Sequence, residues 1–229
     1  WFKAFLSHTD QKPKTAKAIA VILDGRNFGN AEQKKLSFLD IGCGEGELSS
    51  CILESVKTCK FEKYIGIDSD NNFLDILRTR FGEKKFELDL ELHHSNCFDF
   101  DYNSLGQHPV VLLSNILYYC NNVGLFASSF VKSLSNSGIA IFVHESKDSF
   151  PKLMRKKYGA NISDEIPVML EKQFSCKFYH LEESEVKSNI SFKRDISSIL
   201  RSSINSAELS KNLTMEEVLL LEFVAQTSL

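Results

Sequence analysis

The chain has 229 residues, of which 43% are hydrophobic and 25% are charged. That length favours one α/β domain with a substrate cover, and that composition is typical of a soluble protein with a large core. The net charge of −3 and the scattered lysines argue against nucleic acid as a partner, because binding the phosphate backbone requires a basic patch.

The six cysteines include no CxxC pair, so a zinc site has no support and reduced thiols are expected. No signal peptide and no apolar run of about 18 residues is visible, which predicts a cytoplasmic protein without a membrane partner. His93 and His94 are neighbours on a predicted strand and therefore face opposite sides, so no metal site is predicted. We expect a monomer.

The N-terminal region, residues 1–34, is predicted to be helical, because apolar residues recur at helical spacing after Ala16 and Pro13 suits the first turn of a helix. From residue 36 onward, short apolar runs alternate with helical patterns. Strands are predicted over residues 36–41, 64–68, 88–94, 110–114 and 139–144, and helices over residues 45–57, 72–81 and 123–134. This alternation predicts a parallel sheet with crossover helices.

Beyond residue 145 the pattern is less regular. It predicts a lysine-rich helix, then a strand over residues 177–180, a helix over residues 195–200 and a last strand over residues 218–225. No internal repeat and no domain linker is visible, so residues 1–229 are predicted to form a single domain.

A glycine turn follows the first predicted strand, where residues 38–46 read Phe-Leu-Asp-Ile-Gly-Cys-Gly-Glu-Gly. Glycines let a ligand approach the backbone, and the following helix N-terminus adds N–H donors and a partial positive charge. The spacing G-x-G-x-G differs from the dinucleotide fingerprint G-x-G-x-x-G, which argues against a dehydrogenase. Asp40, just before the turn, favours a ligand with a cationic end. S-adenosylmethionine carries both an ammonium group and a sulfonium.

Polar residues also follow the next three predicted strands. Asp68 ends the second strand, where a carboxylate can accept from both ribose hydroxyls. Asn96 and Cys97 follow the third strand and could read an adenine edge, and Ser114 ends the fourth. Asp68 could instead cap a helix and Asn96 could be a turn residue. Because ligands bind at the carboxyl ends of strands in open α/β sheets, the set predicts an S-adenosylmethionine site.

With these motifs in this order, the chain resembles the class I S-adenosylmethionine-dependent methyltransferase family over roughly residues 36–145. The resemblance implies a Rossmann-like, mostly parallel seven-stranded sheet with helices on both faces and an antiparallel last strand. Residues 1–35 would form a helical cover, residues 36–145 the cofactor-binding half and residues 146–229 the substrate-side half. The cofactor-binding residues that it implies are Asp40, Gly42, Cys43, Gly44, Asp68, Ser69, Asn96, Cys97 and Ser114.

A narrower similarity is to histamine N-methyltransferase-like small-molecule methyltransferases. It rests on the runs Asn-Ile-Leu-Tyr-Tyr at 115–119, Lys-Lys-Tyr-Gly at 156–159 and Phe-Leu-Ser-His at 5–8. It implies that Asn115 and Tyr118 line the amine site, so both are catalytic candidates. Tyr119, the next aromatic residue, is a further substrate-binding candidate. Phe150 and Asp10 are the nearest matches to the tryptophans and the glutamate of that family, so both are further substrate-binding candidates. Histamine itself is not implied, because those tryptophans are missing.

We therefore expect methyl transfer from S-adenosylmethionine to a small-molecule acceptor, with an amine nitrogen preferred. The alternatives are a small-molecule O-methyltransferase and a catalytically silent cofactor-binding module that contacts a protein. Tyr118 and Tyr119 could form an aromatic wall for a cationic amine or belong to the core. Asn115 could orient the acceptor or cap the following helix. His144 is expected to be structural rather than a base.

Overall fold

The computed structural model describes residues 11–28 and 36–144. The chain divides into two compact units, residues 1–18 with 180–229 and residues 19–179. The described helices are α1 (Gln11–Asp24), α2 (Glu47–Ser55), α3 (Asn71–Glu83) and α4 (Val123–Phe130). The described strands are β1 (Leu36–Ile41), β2 (Phe61–Asp68), β3 (Asp89–His94), β4 (His108–Ser114) and β5 (Leu134–Val143).

The described strands form one parallel sheet in the order β3-β2-β1-β4-β5. The chain moves outward from β1 through β2 to β3 and then returns to the other side of β1 at β4. The carboxyl ends of β1 and β4 therefore flank the point where the strand order reverses, which is where open α/β sheets bind ligands. The Rossmann-like α/β prediction is confirmed for this part, whereas the sixth and seventh strands, with the antiparallel last strand, lie outside the described residues.

The predicted helix over residues 1–34 is wrong in its C-terminal part, because α1 ends at Asp24 and residues 25–28 are not helical. Gly25 follows the last turn, and glycine commonly ends a helix. The Asp24 carboxylate then accepts hydrogen bonds from the backbone N–H groups of Lys57 and Thr58 at 3.0 and 2.8 Å. This contact ties the end of α1 to the loop before β2.

The boundary between α4 and β5 also differs from the prediction. The helix was expected to reach residue 134, but it ends at Phe130, and β5 begins at Leu134. The polar run over residues 135–138 does not resemble a buried strand, so the sequence did not predict the first part of β5. A register shift falls at this run. His108 pairs with Leu134, whereas Val110 pairs with Ile139.

The two central strands carry the core, since nearly all residues of β1 and β4 are buried. Alternate residues face opposite sides of the sheet. Leu39 and Val111 pack in one cluster with Phe126 of α4. On the other face, Tyr64 of β2 meets Phe81 of α3 with 4.7 Å between ring centroids. Within the described part of the chain, no helix is long and apolar enough to cross a membrane.

Candidate active site

The glycine turn leaves the end of β1 with three left-handed glycines, Gly42, Gly44 and Gly46, at φ values of 70°, 52° and 66°. A Cβ atom at Gly42 would overlap Cγ2 of Ile116, and one at Gly46 would lie 2.6 Å from Cγ of Leu77. A Cβ atom at Gly44 would meet nothing within 4 Å. Two of the glycines are therefore required by packing, while Gly44 borders open space that a ligand can enter.

Asp40 is a buried acid beneath this turn, with 2% of its surface exposed. The hydroxyl groups of Ser49 and Tyr64 both donate to its Oδ2 atom, the latter at 2.7 Å. Burial raises the pKa of Asp40 to about 6, and it outweighs the two hydrogen bonds, which lower that pKa. The fold thus holds a carboxylate where solvation is poor, which favours a cationic group beside it.

Asp68 joins the end of β2 to the glycine turn. Its Oδ2 atom accepts a hydrogen bond from the N–H group of Gly44 at 2.8 Å, and its Oδ1 atom accepts from the N–H group of Asp70 at 2.9 Å. Asp68 is not the N-cap of α3, because that position belongs to Asp70, whose carboxylate accepts from the N–H group of Asn72. Asp40, Asp68 and the open side of Gly44 therefore lie together at the carboxyl ends of β1 and β2.

The three candidates that follow β2 and β3, namely Ser69, Asn96 and Cys97, differ in exposure and in their contacts. Asn96 is exposed, and its amide serves its own turn, since it donates to Asp99 at 2.7 Å and accepts from the N–H group of Phe98 at 3.1 Å. In the structure, Asn96 is therefore a turn residue. A contact between Asn96 and adenine stays a prediction. Cys97 is buried, which raises the pKa of its thiol to about 12. Ser69 is exposed, and its carbonyl oxygen lies 3.0 Å from Nε2 of His94.

Asn115 follows β4 in the left-handed conformation, with a φ of 55°. Its N–H group donates to the carbonyl oxygen of Val143 at 2.9 Å, which joins the ends of β4 and β5. The hydroxyl group of Tyr118 donates to Oδ1 of Asn115 at 3.2 Å. Asn115 does not cap the following helix, because Asn122 caps α4. A non-glycine residue held at positive φ beside a candidate site indicates that its position is fixed by its surroundings.

The two tyrosines have different environments. Tyr118 is 1% exposed, and its ring stacks on that of His144 with 4.4 Å between centroids and 26° between planes. Tyr119 is 62% exposed. Tyr118 is therefore packed into the fold, and Tyr119 is the more accessible aromatic surface. Ser114 ends β4 opposite Val143. Phe150 and Asp10, the other substrate-binding candidates, lie outside the described residues.

Sequence reasoning missed Ser49, Tyr64 and Ile116. The linear sequence carries no signal for Tyr64, because the strand register brings it to Asp40: Phe38 of β1 pairs with Tyr64 and Asp40 pairs with Gly66. Tyr64 therefore lies diagonally across from Asp40 on the same face, within reach of its carboxylate. Ser49 lies in the first turn of α2. Within residues 11–28 and 36–144, no group of three or more His, Cys, Asp or Glu side chains could hold a metal ion.

Residues 39–142 match a family model described as a methyltransferase domain. A curated relative, the malonyl-[acyl-carrier protein] O-methyltransferase of Acetivibrio thermocellus, is 26% identical over 111 residues, which are 48% of this chain and 36% of that protein. The chain thus spans about a third of the length of that relative.

Solved structures agree on the fold. A methyltransferase from Thiobacillus denitrificans, in complex with S-adenosyl-L-homocysteine, has a TM-score of 0.58 at 15% identity, covering 95% of this chain and 84% of that chain. The CMeT domain of the citrinin polyketide synthase has a TM-score of 0.50 at 17% identity, covering 62% and 36%. Residues 39–142 are therefore similar to a methyltransferase domain, and the likeness to the solved structures shows the fold.

Proposed function

We propose that the chain transfers a methyl group from S-adenosylmethionine to a small-molecule acceptor, with an amine nitrogen as the preferred nucleophile. The observation that carries this proposal is the arrangement of Asp40, Gly44 and Asp68. A buried acid, an open glycine and a second acid bonded to that glycine meet at the end of β1. This set suits a cationic nucleoside better than it suits a pyrophosphate, because two carboxylates would repel phosphate groups.

Each acid has a distinct role in holding the cofactor. Ser49 and Tyr64 donate to Oδ2 of Asp40, so Oδ1 is the oxygen that would face the ammonium group. Asp68 already accepts one backbone N–H group on each oxygen. Each carboxylate oxygen has a further lone pair, so the ribose hydroxyls would donate there. Cys97, Asn96, Ser69 and Cys43 would flank the nucleoside, and Ser114 the methionine end.

Bound S-adenosylmethionine supplies a methyl group that is already activated by the sulfonium. The task of the protein is therefore to align the acceptor with that methyl group and to exclude water. We place the acceptor beside Asn115, at the carboxyl ends of β4 and β5. Tyr118 holds the Asn115 amide, and exposed Tyr119 offers an aromatic surface to a cationic amine.

O-methylation is the second candidate, and one observation favours it. Because Tyr118 donates to Oδ1 of Asn115, the Nδ2 group of Asn115 is the end left to face the acceptor. An amide N–H group binds an oxygen of a carboxylate or phenol, whereas a neutral amine needs its lone pair for attack. The curated relative, an O-methyltransferase, is consistent with this alternative.

Titration with S-adenosylhomocysteine tests the cofactor part of the proposal. We expect micromolar binding to the wild type and at least tenfold weaker binding to Asp68→Ala, since hydrogen bonds to a charged group contribute about 1.5–3 kcal/mol each. Asp89→Ala is the matched control, because Asp89 is an exposed aspartate at the opposite end of the neighbouring strand. A folded wild type that does not bind S-adenosylhomocysteine would refute the proposal.

Methyl release over a panel of amines, phenols and carboxylic acids tests the acceptor. Turnover of amines supports the leading candidate, and turnover of acids or phenols alone supports O-methylation. A protein that binds S-adenosylhomocysteine, methylates no member of the panel and copurifies with a partner protein would instead support the silent cofactor-binding module.

A further inference from the structure

A chain of contacts links the end of β5 to the amide beside which the acceptor is placed. It begins at His144, the residue after β5, whose imidazole stacks on the ring of Tyr118 at 4.4 Å and 26°. The hydroxyl group of Tyr118 then donates to Oδ1 of Asn115. The N–H group of Asn115 returns to the carbonyl oxygen of Val143, next to His144. The contacts thus form a closed circuit across the ends of two adjacent strands.

Each member of this circuit restricts the next. Tyr118 belongs to a short 3₁₀ turn over Leu117–Tyr119 and is 1% exposed, so its ring has little freedom to rotate away. The stack with His144 covers one face of that ring. With the ring fixed, the direction of the hydroxyl oxygen is fixed, and the amide of Asn115 has one oriented partner. The backbone of Asn115 is already fixed by its left-handed conformation and by the bond to Val143.

We propose that His144 is a positioning residue for methyl transfer, because its stack on Tyr118 determines which end of the Asn115 amide faces the acceptor. This inference rests on the proposed function for the identity of the reaction. The role proposed for His144 is a stacking contact with Tyr118 and not a proton transfer. His144 contacts Tyr118, whereas Asn115 is the residue placed at the acceptor, so His144 acts at one remove from the reacting atoms.

The stacking role and the alternative role of a general base make opposite predictions for two substitutions. His144→Phe keeps an aromatic ring against Tyr118 and removes both nitrogens, while His144→Ala removes the ring. If the stack is what matters, His144→Phe retains kcat within about threefold and the pH profile of kcat is unchanged. His144→Ala lowers kcat at least about tenfold, because small misplacements of positioning groups have large effects on rate. The affinity for S-adenosylhomocysteine stays within about twofold in both variants.

Tyr118→Phe tests the next link, because it keeps the ring and removes the hydroxyl group. It should lower kcat as His144→Ala does. The double variant should be no worse than the more damaged single variant, since both substitutions interrupt the same circuit. Effects that multiply in the double variant would show that the two residues act independently and would overturn the proposal.

A readout that needs no acceptor keeps this test separate from that of the proposed function. In the full chain saturated with S-adenosylhomocysteine, the side-chain amide signals of Asn115 in a ¹H–¹⁵N NMR spectrum report its orientation. They should shift in His144→Ala and Tyr118→Phe and remain in place in His144→Phe, while the amide signals of Asn96 serve as an internal reference. Unshifted Asn115 signals in His144→Ala, or equal loss of kcat in both His144 variants, would overturn the proposal. A wild type that methylates nothing counts against the proposed function instead.

Discussion

Replacing Asp40 with asparagine should stabilise the fold and weaken cofactor binding at the same time. Asp40 is 2% exposed, and burial raises its pKa from 3.8 to about 6. Because each pKa unit corresponds to about 1.36 kcal/mol, ionised Asp40 costs the native state about 3 kcal/mol at pH 8. Asparagine keeps an oxygen that can accept from Ser49 and Tyr64, and it carries no charge.

The sign of the pH dependence follows from the direction of the shift. Between about pH 4 and pH 6 the native state binds the Asp40 proton more tightly than the unfolded state does. The stability that protonated Asp40 contributes is therefore fully present below pH 3.8 and is lost as the pH rises through 6. The free energy of unfolding of Asp40→Asn should therefore exceed that of the wild type at pH 8 and approach it near pH 4. Urea unfolding at both pH values measures the difference.

Asp24→Asn is the matched control, because hydrogen bonds, chiefly from Thr58, lower the pKa of the Asp24 carboxyl group. The stability that Asp24 contributes is present above its unfolded pKa and is lost as the pH falls, which is the opposite trend. Titration with S-adenosylhomocysteine completes the experiment, and Asp40→Asn should bind at least tenfold more weakly than the wild type. Loss of stability in Asp40→Asn at pH 8, or unchanged binding, would contradict this account of the buried acid.

Three further predictions concern single positions. Gly44→Ala should weaken S-adenosylhomocysteine binding in calorimetry. Gly106 is the control, because it also has a positive φ of 77° and open surroundings but precedes β4; Gly106→Ala should lose stability without losing affinity. Gly42→Ala should lower the thermal midpoint more than Gly44→Ala, because its Cβ atom would overlap Ile116; equal midpoints would contradict this. Burial lowers the pKa of His108, so the wild type should lose stability relative to His108→Gln between pH 7 and pH 5 in urea titrations.

The glycine turn and the elements beside it were predictable from sequence because their signals are local. A buried run, three closely spaced glycines and an acid fix β1, the turn and the start of α2 within about ten residues. The partners of Asp40 were not predictable in this way, because Tyr64 reaches it only through the pairing of β1 with β2. Strand register depends on contacts between distant parts of the chain, which a linear pattern does not contain.

The segment that carries Asn115 and the two tyrosines was harder to predict for a similar reason. The sequence does not distinguish Tyr118 from Tyr119, which are adjacent residues of the same type. In the structure the ring of Tyr118 is buried and that of Tyr119 is exposed. The 3₁₀ turn over Leu117–Tyr119 determines this difference, and no glycine or proline marks that turn. The polar run before Ile139 likewise concealed the first half of β5, because a register shift accommodates it.

The contact between Gly42 and Ile116 has a consequence for how two parts of the candidate site influence each other. Ile116 fills the space that a side chain at position 42 would occupy, and it is the immediate neighbour of Asn115. A movement of the turn at Gly42 toward Ile116 would therefore displace the segment that carries Asn115. If the proposed cofactor binds at the turn and the proposed acceptor beside Asn115, their affinities are thermodynamically linked, and the coupling is equal in both directions. Such a linkage would be measured as a change in the affinity for each ligand when the other ligand is bound.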